Sequence, residues 1–260
     1  MERNKWVDRG IYNHINAPIE MCNYVVHHNI ENPFRLLTYL KIKYPSGKLI
    51  WNIKERKIAA LFLATNIKTI DNNFKKIIGL KWVEYYEKPK YCRLVSFDNL
   101  RYLFGWYQRS SFSFNNKNIL NIRATLGGIL YTQVFKSYSR KYLRRNKKVL
   151  KNGSALSFIA PSCKYADYAQ ISVKLISKIF QISISKAVRL KQRAEKAGYL
   201  KVKKQYIYLN NDQIIAAMKG REYRSENNNV VCHKGKYAFQ GIDKIHSELY
   251  FKKRKKLKTL

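Results

Sequence analysis

The apolar positions between Ser172 and Leu209 change their period twice. Leu175, Ile176 and Ile179 recur at helical spacing behind Ser172, whose hydroxyl is placed to cap a helix. Gln181 to Ile184 breaks the pattern as a short turn. Ser185 is the expected cap of a second helix, with Ala187, Leu190, Ala194 and Ala197 on its inner face. Gly198 stands where a helix ends in the left-handed conformation that glycine adopts at least cost. Tyr199 to Lys203 and Tyr206 to Leu209 then alternate with period two, which predicts a two-stranded ribbon.

An earlier stretch follows the same order. Asn32-Pro33 reads as a helix start, and Phe34, Leu37, Tyr39, Leu40 and Ile42 make it a buried helix ending near Tyr44-Pro45-Ser46-Gly47. Leu49 to Trp51 is a short predicted strand, and Asn52 caps a helix through Ile58, Leu61 and Phe62. After a turn at Ala64 to Ile67, Ile70, Phe74 and Ile77 line one face of another helix. Trp82 to Tyr86 and Tyr91 to Phe97 form a hairpin around Glu87-Lys88-Pro89-Lys90. Ile70 lies 117 positions before Ala187, its counterpart, so the chain reads as a diverged tandem repeat. The expected glycine is displaced: Gly79 falls inside the helix end, and Lys81 holds the place of Gly198.

The remaining segments predict less. Residues 1–29 are mixed. Residues 101–116 read as a linker, and the aromatics Tyr102, Phe104, Trp106 and Tyr107 beside Arg101 and Arg109 suit either unpaired bases or packing between two domains. Asn118 to Arg145 reads as one long helix whose end, SRKYLRRNKK, is dense in cations and has no acid. Leu156 to Ala160 and Tyr168 to Ile171 are candidate strands, and Asp212 to Lys219 is a candidate short helix. Residues 211–260 read as a basic tail, polar over Arg221 to Asn229, with Ile245, Leu249 and Tyr250 on one side before the last cationic cluster. The expected divisions are thus 1–29, a domain at 30–100, a linker at 101–116, a domain at 117–210, and a tail at 211–260.

Charge changes this picture. The 260 residues carry 52 Lys and Arg against 16 Asp and Glu, a formal net charge of +36. With 46% hydrophobic residues the chain should fold, so the excess points to a polyanionic partner rather than a disordered basic tail. No run is long and apolar enough to predict a spanning helix, and MERNKWVDRG lacks the apolar core of a signal peptide. Cys22, Cys92, Cys163 and Cys232 lie far apart, as expected of reduced thiols in a cytoplasm-like compartment.

Catalytic and metal-binding patterns are not found in the sequence. There is no phosphate-binding loop signature, no nucleophile elbow and no clustered carboxylate set for two magnesium ions. His27 and His28 are adjacent, which on a strand would send the two rings to opposite faces, and Cys232-His233 alone supplies too few ligands for zinc. No enzyme, cofactor or metal is expected.

Helix, short turn, basic second helix, glycine and ribbon over Ser172 to Leu209 resemble the winged helix-turn-helix family. The resemblance covers roughly residues 30 to 210, and two such units joined by a long helix look like plasmid and phage replication initiators. It implies a mainly α fold with small β-wings (α+β): two tandem winged-helix domains joined by an aromatic linker and a long helix. It also implies that the second helix enters the major groove and the ribbon rides on phosphates. The expected partner is double-stranded DNA, in the cytoplasm with the nucleoid, with no membrane partner. Ser185, Lys186, Arg189, Gln192, Arg193 and Lys196 are the expected reading helix. Arg189, Gln192 and Arg193 are the candidates for base edges. Lys203, Lys204, Arg144 and Arg145 are expected on the backbone. In the first unit Lys68, Asn72, Lys75, Lys76, Lys88 and Lys90 either touch DNA or leave the unit free to form a homodimer. A transcriptional regulator and a nonspecific coating protein remain the alternative functions.

Overall fold

Side chains that accept backbone N–H groups set most of the helix starts. In the computed structural model, which describes residues 14–86, 91–152, 168–210 and 230–253 (backbone only over 139–152 and at 230), the chain begins with β1 (His14–Pro18) and α1 (Ile19–His27). Next come α2 (Glu31–Lys43), β2 (Lys48–Leu49), α3 (Ile53–Phe62) and α4 (Ile67–Gly79). Asn52 caps α3 by accepting from Glu55 at 3.0 Å, and Asn66 caps α4 by accepting from Thr69 at 2.7 Å. The hairpin strands are β3 (Val83–Tyr86) and β4 (Tyr91–Leu94). Then follow α5 (Phe97–Phe104), β5 (Ser110–Asn115), α6 (Asn116–Leu120) and α7 (Ile122–Asn152). Asn115 and Asn118 cap α6 reciprocally.

Beyond α7 lie β6 (Ala169–Gln170), α8 (Val173–Phe180), α9 (Ile184–Lys196), β7 (Leu200–Lys203) and β8 (Tyr206–Tyr208). The chain closes with β9 (Val230–His233), β10 (Lys236–Gln240), β11 (Lys244–Ser247) and β12 (Lys252–Lys253). The fold is therefore α+β, with helices and four small antiparallel sheets among the described residues. Two compact units are present: one runs to Ile129 and resumes at Leu249, and the other is Leu130–Glu248.

The first unit holds two sheets. β5 pairs with β1 over five antiparallel positions and with β12 on its other side. Phe112 and Phe114 alternate inward from β5 and are buried. The second sheet has the order β2-β4-β3. Phe34, Leu37 and Leu40 of α2 join Ile70, Ile77 and Trp82 in the core, all at most 1% exposed. The aromatic stretch expected to be a linker is thus built into this unit. Phe104 stacks on Trp106 at 4.8 Å, Tyr24 of α1 lies against both rings, and Glu20 accepts the backbone N–H groups of Tyr107 and Gln108. The residues that form β5 also alternate with period two, which is the pattern of a strand rather than a linker.

Lys41 is a charged group inside this unit. Its ammonium donates to the Val95 carbonyl at 2.5 Å and sits 4.6 Å from the centre of the Phe97 ring, and burial pushes its pKa down to about 8. The unfolded chain holds this proton up to about pH 10.4, so between pH 8 and pH 10 the unfolded state binds more protons and stability rises with pH. A series of thermal unfolding curves should show that rise in the native protein and lose part of it in Lys41→Met. Equal pH slopes in both proteins would refute the assignment.

The second unit has a sheet of order β6-β11-β7, the arrangement seen in β2-β4-β3. In both, the strand after the helix pair lies at one edge and the returning strand lies in the middle. The correspondence extends to single residues. α4 and α9 start and end 117 positions apart, as do β3 and β7. The residues between paired helices, Ala64 and Gln181, both have positive φ (46° and 51°), and so do Lys81 and Gly198 (56° and 77°). Lys81 thus holds the left-handed position without glycine.

Three expectations need correction here. The cap of α9 is Ser183, which accepts from Lys186 at 3.2 Å, and Ser185 lies inside the first turn. Ile182, 8% exposed, anchors the turn, so the helix begins earlier than Gln181 to Ile184 suggested. β7 and β8 do not pair with each other, since a two-residue hairpin needs positive φ and neither Lys204 nor Gln205 has it. They form one side of a longer ribbon whose other side is β10 and β11. Residues 230–253 are therefore not a tail: β11 completes one sheet and β12 another. Leu156 to Ala160, Asp212 to Lys219 and Arg221 to Asn229 lie outside the described residues.

Candidate nucleic-acid interface

α9 is seated by small residues. Ala187, Leu190 and Ala194 are at most 2% exposed, and the two methyl side chains allow the helix axis to approach its support closely. The Tyr131 hydroxyl donates to the Ala187 carbonyl at 3.3 Å, and burial raises the pKa of that phenol. α8 is held beneath by Ile176 and Phe180, and Ser177 donates to the Ile182 carbonyl at 2.6 Å to fix the turn between the helices.

This seating leaves one stripe outward. Ser185, Arg189, Gln192, Arg193 and Lys196 are exposed, and Lys186 beside them is half-buried. Their spacing is four, three, one and three residues, which keeps them on one helical face. Arg189 Nε donates to the Ser185 carbonyl at 3.3 Å within the helix. Glu195 is the one acid on α9.

Among the described residues of this unit, acids that could neutralise this face are few. The described residues of the second unit hold 21 Lys and Arg but only three acids, Glu195, Asp243 and Glu248. Asp243 is taken by Lys191 at 2.5 Å, and Glu248 is paired with Lys201, which holds its carboxyl below and the Lys201 ammonium above their usual ranges. Lys203 stands directly across the ladder from Lys244, and that row continues to Gln170 with no acid in it. Like charges at such positions repel, so the sheet carries a cost that an anion on its surface would relieve. In the first unit the matching positions are Tyr86 and Tyr91, which face each other and carry no charge.

Lys203 and Lys204 are exposed, and Lys203 also lies 4.1 Å from the centre of the Tyr168 ring. Arg144 and Arg145 fall within α7, where only the backbone is described. On α4 of the first unit, Lys68, Asn72, Lys75 and Lys76 are all exposed at the positions corresponding to Ser185, Arg189, Gln192 and Arg193. Asp71 is turned toward Arg56, 3.5 Å away. Lys88 and Lys90 lie outside the described residues.

Sequence reasoning missed two features. One is the Lys191–Asp243 pair, 52 positions apart, which has no local signal. The other is the β9–β10 hairpin, where Lys234 and Gly235 both have positive φ and His233 pairs with Lys236. Its signal was available: a Lys-Gly pair between VVCH and KYAFQ is a two-residue turn between strand-like runs.

Among the described residues no helix is long and apolar enough to cross a membrane. No protein-family model, no curated protein and no solved structure matches this chain.

Proposed function

We propose that this chain is a double-stranded DNA-binding protein built of two winged-helix units, of the kind used by plasmid and phage replication initiators. The repeated strand order and the 117-residue offset between α4 and α9 support the tandem reading. The observation that carries the function is α9: an alanine-seated helix with an outer stripe of Arg189, Gln192 and Arg193, in a unit whose described residues hold three acids against 21 Lys and Arg. In this reading α9 lies in the major groove, with Arg189 and Arg193 suited to guanine and Gln192 to adenine. Lys203 and Lys204 hold the phosphates. The protein binds and positions without catalysing.

The test begins with duplexes selected from a random pool at physiological salt. Arg189→Ala should cut discrimination between the selected site and random duplex by about 1–3 kcal/mol. Lys204→Ala should weaken binding to both equally and lower the salt slope by about one. Equal losses on both duplexes for both variants would instead mark a protein that coats nucleic acid through charge. An initiator should also bind directly repeated sites and open adjacent AT-rich DNA, whereas a regulator would bind without opening it.

For the first unit, the exposed Lys68, Asn72, Lys75 and Lys76 support a second duplex contact. Exposed Ile50, Ile53 and Leu61 (64%, 57% and 85%) favour a homodimer through the same unit.

A further inference from the structure

The connection between β7 and β11 is 40 residues long, whereas that between β3 and β4 is four. Those 40 residues carry a built element. Gln205 accepts from Gly241 at 2.9 Å, and Leu209 donates to Tyr237 at 3.0 Å, so the β7–β11 ladder runs on into the β8–β10 ladder as one ribbon. Two residues separate Lys203 from Tyr206, but three separate Gln240 from Lys244. The return side therefore has one extra residue, a β-bulge at Ile242–Asp243, and bulges bend and twist a ribbon. The Asp243 carboxylate fastens this bend to α9 through Lys191.

The ribbon is also long. Nine residue steps lead from Lys244, which faces Lys203, to Gly235 at the tip, which at roughly 3.3 Å each is about 30 Å of strand. One turn of B-DNA is about 34–36 Å. Cations mark both ends of the arm: Lys203 and Lys204 at the bulge, and Lys234 and Lys236 at the tip, all exposed. Between Lys204 and Ile242 no described residue is acidic, and the sequence of residues 211–229 holds three acids and three bases. The middle of the arm presents Ile207 and Tyr237, which share a face with Phe239 and are 64% and 42% exposed. Apolar groups of this kind line the protein side of minor-groove contacts.

We propose that this bent ribbon is a second duplex-binding arm, reaching from the α9 contact to phosphates about one helical turn away and gripping them through Lys234 and Lys236. The inference rests on the reading of α9 as a duplex-binding helix and adds to it the extent of DNA engaged.

The test compares the native chain with the double variant Lys234→Ala/Lys236→Ala on duplexes of about 40 and about 16 base pairs with the α9 site at the centre, so that each side of it extends about two turns or less than one turn. Affinity is read by fluorescence anisotropy from about 50 to 200 mM salt. On the long duplex the double variant should lower the slope of log affinity against log salt by about two, one for each phosphate released. On the short duplex the two proteins should bind alike. Hydroxyl-radical protection should retreat on one side of the site by about ten base pairs. Lys234→Arg/Lys236→Arg should restore slope and protection, which shows that charge and not folding was lost. Identical slopes and footprints for native and Ala proteins would overturn the arm. So would an unchanged slope with altered sedimentation of the DNA-free protein, which would assign the arm to contact with a second copy. If Arg189→Ala weakens binding while the tip variant does not, only the arm fails. If neither does, the reading of α9 fails with it.

Discussion

Ala194→Leu should lower the midpoint of thermal unfolding and sharply weaken duplex binding in the same protein. Ala194 and Ala187 are both 0% exposed, and they let α9 sit close to its support. A leucine brings three more carbon atoms into space already filled. Overpacking of this kind costs about 1–3 kcal/mol. For a unit of this size that is a shift of several degrees, at roughly 2–8 °C per kcal/mol. The helix relieves the strain by tilting or sliding outward, and Arg189, Gln192 and Arg193 move with it. Gln192→Leu is the control, because it adds apolar bulk on the exposed side of the same helix. It should alter binding and leave the midpoint nearly unchanged. Circular dichroism melting and fluorescence anisotropy on one duplex would check both. If Ala194→Leu melts with the native protein, α9 is not seated as described.

Lys191→Met should destabilise the second unit by about 3–5 kcal/mol, because it leaves a buried carboxylate without its counter-charge. The Asp243 side chain is 8% exposed, and its Oδ1 has no hydrogen-bond partner among the described residues. Lys191 is the cation that reaches its Oδ2. The backbone of Asp243 is committed as well, since its carbonyl accepts from Ile171 at 3.2 Å. Removing the lysine therefore loosens α9, the bulge and the approach to α8 together. The double variant Lys191→Met/Asp243→Leu should recover most of the loss, because well-packed apolar replacements of a buried pair are often neutral. Chemical denaturation of the four proteins in the cycle measures the coupling. A single-variant cost under about 1 kcal/mol would place the pair among ordinary surface ion pairs.

The two helix pairs were legible because their signals are local. Asn52 and Ser172 stand at helix starts and accept from the residues three positions on, and Ile70, Phe74 and Ile77 mark an inner face by spacing alone. The outward stripe of α9 was legible for the same reason. The sheets were less so, because their decisive pairings are distant. β11 returns to β7 after 40 residues, and β12 pairs with β5 across 141 positions, as at Ser111 and Lys252. Period-two alternation shows that a segment is extended but not which strand it joins. That is why β7 and β8 read as partners when each pairs with the far side of the ribbon. The exchange of Ser185 for Ser183 as cap has a different cause. Both serines precede the same apolar run, and the burial of Ile182, which decides between them, depends on tertiary packing.

The placement of β12 has a consequence for how the protein is made. A ribosome releases the whole of Leu130–Glu248 before it releases the strand that pairs with β5. Until then, one side of β5 is an open edge on the nascent chain, and such edges recruit other strands. The unit that begins first is therefore the one that finishes last, and a premature stop after β11 would leave it exposed to aggregation even with its neighbour fully folded.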